Sequence, residues 1–483
     1  MQLELLPILP ELLVAGMAGF ILIVDLYLTE SQRRASYVLT LVTLFVAIVV
    51  LVYGFNTKPV MTLNGMFVDD AFSDVIKIAI CTVTFLAFVY SRDYIETRKF
   101  FRGEYFVLGL FAVVGMMVMA SAAHFLVLYL GLELLSLCLY AMVALQRDSL
   151  HATEAAIKYF VLGAIGSGMM LYGMSLVYGL TGSLDINQVR NALGPDQVNN
   201  VILLLGVIFI IVSLAFKLGV VPFHMWVPDV YHGAATATTL FLSTAPKIAA
   251  FAMLIRLLIG GFEDLHVAWR DMVVVLSLLS IAIGNLIAIA QNNFKRMLAY
   301  SAISHMGFML LGVISGTASG YAASLFYVLT YALMGLGGFG MILLLSRTGF
   351  EADELADLKG LNQRSPWSAF LLMLLMVSMA GVPPTIGFVA KLSVIYAVID
   401  AGLIWLAVVA VLFAVVGAYY YLRVVWYMYF EPPEGRPEWS AEDAPRDLRV
   451  LLGINACALV LLLPFLGPIL QLCADAVKSV LGV

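Results

Sequence analysis

The chain has 483 residues, of which 63% are hydrophobic and 12% are charged, and its formal net charge is -5. Soluble domains average about 45–50% apolar and about 25% charged residues, so the composition excludes a soluble protein and indicates an integral membrane protein. The weak negative charge offers no basic face to nucleic acid. The four cysteines are scattered singly, without C-x-x-C spacing, and no glycine-rich phosphate loop follows a strand. We therefore expect no metal site and no cofactor in this chain.

Apolar runs of about 20 residues predict an all-α fold of fourteen membrane-spanning helices. The predicted spans cover residues 5–27, 36–55, 71–90, 105–122, 124–145, 152–180, 201–227, 234–259, 269–290, 298–315, 319–346, 366–399, 401–430 and 448–475. The first span carries Glu4 and Glu11 where a signal peptide would carry Lys or Arg, so we expect it to be retained.

Lysine and arginine accumulate in the loops that follow odd-numbered spans. These loops contain Arg33, Arg34, Arg92, Arg98, Lys99, Arg102, Arg147, Lys295, Arg296, Arg347, Lys359, Arg364, Arg436 and Arg446. The loops after even-numbered spans contain Lys58, Arg190 and Arg270. Because basic loops stay on the cytoplasmic side, both termini are predicted to face outward, in a bacterium toward the periplasm.

The seventh span combines a lysine with a helix-breaking residue. Lys217 lies inside an apolar run, and Pro222 follows five residues later. Proline has no N–H group, so the carbonyl of Leu218 is expected to lose its helical partner. The eighth span repeats the combination with Pro246 and Lys247. Charged groups and irregular backbone are tolerated at membrane depth only where they line a cavity, which predicts a water-lined path for a proton or another cation.

The twelfth span has its own break and its own lysine. Pro383 and Pro384 free the carbonyls of Met379 and Ala380, and Lys391 follows the break. In the seventh span the lysine precedes the break, but the two helices are predicted to run in opposite directions. Corresponding broken helices in two inverted halves are typical of transporter ion sites.

Spans 4–8 and 9–13 each contain five helices, an odd number, as an inverted pair requires. The predicted organisation is an N-terminal three-helix segment at 1–104, two inverted repeats at 105–260 and 261–430, each with a broken helix, and a loop with the last helix at 431–483.

Three lysines and one glutamate are candidates for proton transfer within the membrane. Glu133 is the carboxylate of the fifth span, and Lys217 is its natural partner; a static ion pair that fixes helix packing is the alternative. Lys247 and Lys391 have no carboxylate within their own spans. Burial disfavours a charged amine, so each is a candidate relay, and snorkelling to an interface is the alternative.

Weaker candidates lie nearer the ends of the spans. Lys158 follows Glu154 by four residues, a spacing that an interfacial salt bridge would also explain. His224 and His305 are able to pass protons at accessible pH, although structural histidines are at least as common. Asp229 falls at the end of the seventh helix, where solvation accounts for it.

Three segments together resemble a known family. They are FKLGVVPFHMWVPDVYHGAATATTLFLSTAPK, NNFKRMLAYSAISHMGFML and GVPPTIGFVAK. They resemble the antiporter-like membrane subunits of respiratory complex I, which are related to subunits of multi-subunit cation/proton antiporters. The resemblance covers spans 4–13. It implies that Glu133 and Lys217 form a charged pair, and that Lys247 is a connecting lysine.

The resemblance also implies that Lys391 is the ionisable residue of the second broken helix and that Lys158 is an additional lysine of the family. The implied function is proton translocation, driven by NADH oxidation and quinone reduction in other subunits. The implied partners are the other membrane subunits of complex I, including neighbouring antiporter-like subunits, and the lipid bilayer. An independent cation/proton antiporter subunit and a non-pumping scaffold remain the alternatives.

Overall fold

The computed structural model describes residues 5–29, 32–98, 100–193, 200–347, 349–433 and 444–482. Glu4 and the loop cations Lys99 and Arg436 lie outside these ranges.

The N-terminal part consists of helices joined by short connections and one small hairpin. Its helices are α1 (Leu9–Asp25), α2 (Arg34–Tyr53), α3 (Ala71–Thr97), α4 (Gly103–Ser121), α5 (Phe125–Val143), α6 (Leu150–Thr181) and α7 (Ile186–Ala192). The antiparallel strands β1 (Val60–Thr62) and β2 (Phe67–Asp69) precede α3. Asp70 then starts α3 with a capping box, because its side chain accepts from the Ser73 amide.

The remaining helices are α8 (Val201–Leu218), α9 (Trp226–Gly233), α10 (Thr236–Leu242), α11 (Ala245–Leu254), α12 (His266–Ala290), α13 (Phe294–Ile314), α14 (Ala318–Leu345), α15 (Leu361–Arg364), α16 (Pro366–Ala380), α17 (Ile386–Asp400), α18 (Ile404–Phe430), α19 (Arg446–Leu461) and α20 (Leu466–Leu481). A π-helical turn at Ile255–Gly261 extends α11. Helices α11, α13 and α14 are the most deeply buried, and the outer helices such as α2 and α18 expose apolar side chains, as expected next to lipid.

Within the described residues, thirteen helical segments are long and apolar enough to cross a membrane. The predicted twelfth span is missing from that set because its two halves, α16 and α17, have 15 residues each. Together they complete the predicted fourteen. The all-helical, polytopic fold predicted from the sequence is therefore confirmed.

Two of the predicted helix breaks are present, and glycine determines where each begins. Helix α8 ends at Leu218 because Gly219 adopts φ +70°, three residues before Pro222. Helix α16 ends at Ala380, where Gly381 adopts φ +81°. A left-handed glycine after the last turn is a common helix terminator.

The eighth and fourteenth spans differ from the predicted single helices. The eighth is interrupted at Ser243 and Thr244, between α10 and α11, and Pro246 lies in the first turn of α11, where its missing N–H costs nothing. The predicted break at Pro246 is thus displaced toward the preceding residues. The fourteenth is divided into α19 and α20 by a short turn that contains Pro464.

The ends of the helices define two membrane faces. On the terminal face, Ser479 near the end of α20 accepts from the backbone amide of Phe72 at the start of α3. On the opposite, basic-loop face, Arg92 at the far end of α3 pairs with Asp447 at 2.9 Å.

Candidate ion-translocation site

Lys217 lies in the last turn of α8 and reaches across to α5. Its ammonium donates a hydrogen bond of 2.7 Å to the hydroxyl of Ser136. Ser136 follows Glu133 by three residues, so both side chains lie on the same side of α5. Among the described residues this hydrogen bond goes to the hydroxyl rather than to the carboxylate, whose Oε1 is buried. The Ser136 hydroxyl donates in turn to the carbonyl of Leu132, so Lys217 is anchored to α5 one turn away from Glu133.

Lys247, in the first turn of α11, occupies the end of the broken α8. It is 2% exposed. Its ammonium donates to the carbonyl of Leu218 at 2.7 Å and to the carbonyl of Lys217 at 3.4 Å, and it lies 5.2 Å from the centre of the Trp226 ring. The carbonyl predicted to lose its helical partner therefore binds an ammonium. The partial negative charge at a helix C-terminus favours this cation.

A small cavity of about 20 Å³ connects these two lysines. Ser136, Lys217, Trp226 and Lys247 line it together with apolar side chains of α4, α5 and α11. A cavity needs a volume of about 10–15 Å³ to hold one water molecule, so this one has room for a single water. The space therefore permits a single hydrogen-bonded bridge between the Lys217 and Lys247 sites.

Lys391 repeats the Lys247 arrangement at the second broken helix. It lies in α17 and is 9% exposed. Its ammonium donates to the carbonyls of Met379 and Ala380, each at 2.9 Å, and lies 5.2 Å from the ring of Phe308. These are the two carbonyls that Pro383 and Pro384 were predicted to free. In both broken helices, a lysine from a neighbouring segment satisfies the orphaned backbone.

His305 is held by two tyrosines in the core. It is 2% exposed. Its Nδ1 lies 2.8 Å from the hydroxyl of Tyr327 on α14, and its Nε2 lies 3.1 Å from that of Tyr421 on α18. The Tyr421 hydroxyl also contacts Ser301. Phe308, one turn after His305, packs under Lys391. A hydrogen-bonded row thus leads from the neighbourhood of Lys391 toward the start of α13.

The other predicted residues do not line the cavity shared by Lys217 and Lys247. His224 is half-buried in the connection 219–225 between α8 and α9. Lys158 is partly exposed and pairs with Glu154 at 2.8 Å and with Asp229 at 2.8 Å. The ion pair with Glu154 is the one that their spacing predicted.

Asp229, for which the sequence predicts only solvation at a helix end, has a specific structural role. Its carboxylate pairs with Lys158 of α6 and, at 3.1 Å, with Arg296 of α13. Burial raises the pKa of Asp229, but the hydrogen bonds from the two cations outweigh it and hold this pKa below its usual value. The sequence did not reveal this bridge because its partners are 71 and 67 residues away.

The prediction that Lys295 is a loop residue is wrong. It is 3% exposed because α13 already begins at Phe294. Its ammonium donates to the carbonyl of Ala234 at 2.9 Å and lies 3.9 Å from Glu351. Glu351 in turn accepts from Tyr94. An N-capping Asn293 just before Phe294 was the sequence signal for this earlier helix start.

Fold and site together define a polytopic, all-helical membrane protein with ammonium groups bound at two helix breaks. The family described as NADH:quinone oxidoreductase/Mrp antiporter, transmembrane, matches residues 122–417. The chain is also 56% identical, over 99% of its length, to a protein of Thiobacillus denitrificans called NADH-quinone oxidoreductase subunit N, and it covers 98% of that protein. It is 53% identical, over 98% of its length, to a protein of the same name from Thioalkalivibrio sulfidiphilus, of which it also covers 98%. The chain belongs to this family of membrane subunits.

Solved structures agree with the assignment. A chain of respiratory complex I from Thermus thermophilus with bound aureothin matches with a TM-score of 0.82 and 30% identity, covering 96% of this chain and 99% of that one. A chain of the Mrp complex from a Dietzia species matches with a TM-score of 0.85 and 21% identity, covering 98% of both. The second likeness shows a shared fold.

Proposed function

We propose that the chain is the N subunit of a proton-pumping NADH:quinone oxidoreductase and carries protons across the bacterial cytoplasmic membrane. The observation that carries this proposal is the pair of buried lysines, Lys247 and Lys391, bound to the carbonyls of broken helices. The names of the full-length relatives support subunit N in particular. So does the lysine at position 391, since subunit M of the family carries glutamate there.

The relay consists of side chains that exchange protons over short distances. Lys217 receives or releases a proton beside Ser136 and Glu133, and the small cavity passes it to Lys247. Lys391, His305 and the tyrosine hydroxyls form the corresponding route in the second half. Glu133 favours the charged form of Lys217 when it is close, because opposite charges attract strongly at low dielectric. A change in their separation therefore gates the transfer.

The redox chemistry belongs to other subunits, which bind NADH and quinone. This chain contributes the two repeats at 105–260 and 261–430, and both of its termini face the periplasm. The basic-loop face then faces the cytoplasm, in keeping with the distribution of lysine and arginine. Lys158 and His224 serve the cytoplasmic end of the first half.

Replacement of Lys217 by alanine tests the relay directly. NADH-driven proton uptake by inverted membrane vesicles is expected to fall sharply, while the complex still assembles. Undiminished uptake in a normally assembled complex contradicts the proposal. Neutralising Lys158, Lys217, Lys247 and Lys391 together tests the scaffold alternative, which requires that pumping be unchanged.

An independent cation/proton antiporter is the second candidate function. The fold shared with the Dietzia Mrp chain favours it. It predicts sodium-dependent proton exchange without NADH, and co-purifying proteins that lack flavin and iron–sulfur centres. Purification of the assembled complex under mild conditions, followed by identification of its components, distinguishes the two.

A further inference from the structure

A second group of buried charges lies in the N-terminal three helices, outside residues 122–417. Lys77 of α3 is fully buried, and Glu11 of α1 is 4% exposed. The Lys77 ammonium lies 2.7 Å from Oε1 of Glu11 and 3.9 Å from Asp69 at the end of β2. All three lie near the terminal face, because α3 begins there. This position separates them from the lysines of the two broken helices.

A single asparagine joins two carboxylates of this group. The side-chain amide of Asn56 donates to Asp69 at 2.7 Å, and its backbone N–H donates to Asp74 at 3.0 Å. Asp69 is 5% exposed and Asp74 is 2% exposed. Asn56 itself is half-buried in the connection between α2 and β1. The connection thus draws two buried aspartates together beneath the terminal face.

The charges in this group do not balance. Among the described residues, the group of Glu11, Asp69 and Asp74 contains one cation, Lys77, which is paired with Glu11 and lies 3.9 Å from Asp69. The adjacent Asp70 is already neutralised, because Arg256 donates to both of its oxygens at 2.8 and 2.7 Å. Three ionised carboxylates would leave two uncompensated negative charges in a buried site. A buried carboxylate without a partner takes up a proton rather than remain charged.

The groups that surround the cluster do not supply the missing positive charge. Lys478 at the end of α20 pairs with Asp475, and Lys58 is exposed in the connection that holds Asn56. Cys81 lies one turn after Lys77, and Ser73 is engaged in the helix cap. Within the part of the chain that the structure describes, Lys77 is the one cation within 4.0 Å of Glu11 and Asp69, and no cation lies that close to Asp74.

A buried oxygen of Glu11 provides an independent sign of a missing ligand. Oε2 of Glu11 is inaccessible to solvent, and none of the described residues donates a hydrogen bond to it. Buried carboxylate oxygens are nearly always hydrogen-bonded. This side chain points into the group formed with Lys77. The group therefore lacks a hydrogen-bond donor as well as positive charge.

We propose that Glu11, Asp69, Asp74 and Lys77 form a proton-binding site that is filled from the terminal face. The proton bonds to a carboxylate oxygen of Asp74 and is donated to Asp69, while Glu11 stays ionised beside Lys77. The half-buried Asn56 marks the route to solvent. We refer to these four residues as the outer carboxylate site.

The site is attached to the relay through the backbone. Asp69 precedes Asp70, which caps α3 and holds Arg256. Arg256 lies in the π-helical turn that continues α11, the helix of Lys247. Arg256 also donates to the carbonyl of Ala120 at the end of α4. Binding of a proton at the terminal face thus acts, through Arg256, on the end of α11 opposite Lys247.

Infrared difference spectroscopy of the purified, assembled complex tests the site. The spectrum of the native complex minus that of Asp74→Asn at neutral pH is expected to show the C=O stretching band of one protonated carboxylic acid. In Asp69→Asn the same band is expected to disappear at a lower pH, as pH is raised, than it does in the native complex. The reason is that Asp74 has lost its negative neighbour and gives up its proton more easily. The matched control is Asp475→Asn, an exposed ion-paired carboxylate, which is expected to leave the protonated band unchanged.

The assembly of the variants and their infrared spectra show whether a proton is bound at this site. Because an amide resembles a neutral acid, Asp74→Asn is expected to assemble at the native level, and failure to assemble contradicts the proposal. Absence of a protonated band in the difference spectra of both aspartate variants overturns it. A band lost in Asp69→Asn but retained in Asp74→Asn overturns the assignment of the proton to Asp74.

Discussion

The ammonium of Lys247 donates a 2.7 Å hydrogen bond to the carbonyl of Leu218, the last residue of α8. Lys391 does the same at the last residues of α16. In both places the cation stabilises a helix end that lies within the apolar interior, and the helix end holds the cation there. Lysine and break are therefore one structural unit, so neither is expected to tolerate loss of the other.

Replacing Lys247 by methionine removes the ammonium and keeps an unbranched side chain. The Leu218 carbonyl then loses a charge-assisted hydrogen bond, which costs about 1.5–3 kcal/mol. We expect proton uptake to fall to near background, with a lower melting temperature of the assembled complex. Both are measured in membranes and in the purified complex. Lys58→Met, at an exposed position, is the control and should match the native protein; full uptake in Lys247→Met would refute the role.

Ser136 is predicted to assist proton transfer at Lys217 without being essential for it. Ser136→Ala removes the hydroxyl that accepts from the Lys217 ammonium. We expect a partial loss of pumping, smaller than that of Lys217→Ala, because Glu133 remains nearby. A double-mutant cycle with Glu133→Gln measures the coupling, which for residues in one network is about 0.5–3 kcal/mol. Strictly additive effects on the pumping rate would show that the three side chains do not act together.

Tyr421→Phe tests whether His305 acts through its hydrogen bonds. The change removes the hydroxyl next to Nε2 and leaves the ring in place. The hydrogen bonds of this hydroxyl to His305 and Ser301 are both lost, at a cost of about 1 kcal/mol each, so the complex should remain folded while proton uptake decreases. The control is Tyr419→Phe, because Tyr419 is 58% exposed on the same helix. Equal uptake by the two variants would assign His305 a purely structural role.

The sequence contained most of the fold because membrane helices are encoded by local runs of apolar residues. It also identified the carbonyls of Leu218, Met379 and Ala380 as unpartnered. It could not reveal that Lys247 binds the first of them, because that contact joins residues 29 positions apart. Pro246 indicated an interruption in the eighth span but not that it falls at Ser243 and Thr244, before the proline. The ion pair of Glu11 and Lys77 could not be predicted for a related reason, since the two residues belong to different spans and only packing brings them together.

Asp229→Asn is expected to change the pH dependence of stability. The pKa of Asp229 is held below its usual value of about 3.9 by Lys158 and Arg296, in spite of burial. Its carboxylate therefore stabilises the fold above that pH, and the contribution is lost as pH falls through the lowered pKa. The variant should melt slightly below the native complex at pH 7 and approach it in acid. A difference that persists undiminished in acid would show that the ion pairs are not its cause.

Close packing of α4 on α5 is expected to position Glu133 and Ser136. A Cβ atom on Gly115 would lie 2.7 Å from the Gly131 carbonyl and 2.7 Å from the Leu135 amide. These are backbone atoms and cannot move aside, so Gly115→Ala must push the two helices apart. Small residues allow membrane helices to approach closely, and overpacking costs about 1–3 kcal/mol.

We therefore expect Gly115→Ala to lower both the melting temperature and the rate of proton uptake. Gly168→Ala is the matched control, because a Cβ atom there meets nothing within 4 Å, and this variant should behave as the native protein does. If Gly115→Ala lowered the melting temperature but left uptake per assembled complex unchanged, the spacing of α4 and α5 would matter for stability alone. Loss of both in proportion would show that the Glu133 and Lys217 geometry depends on this contact.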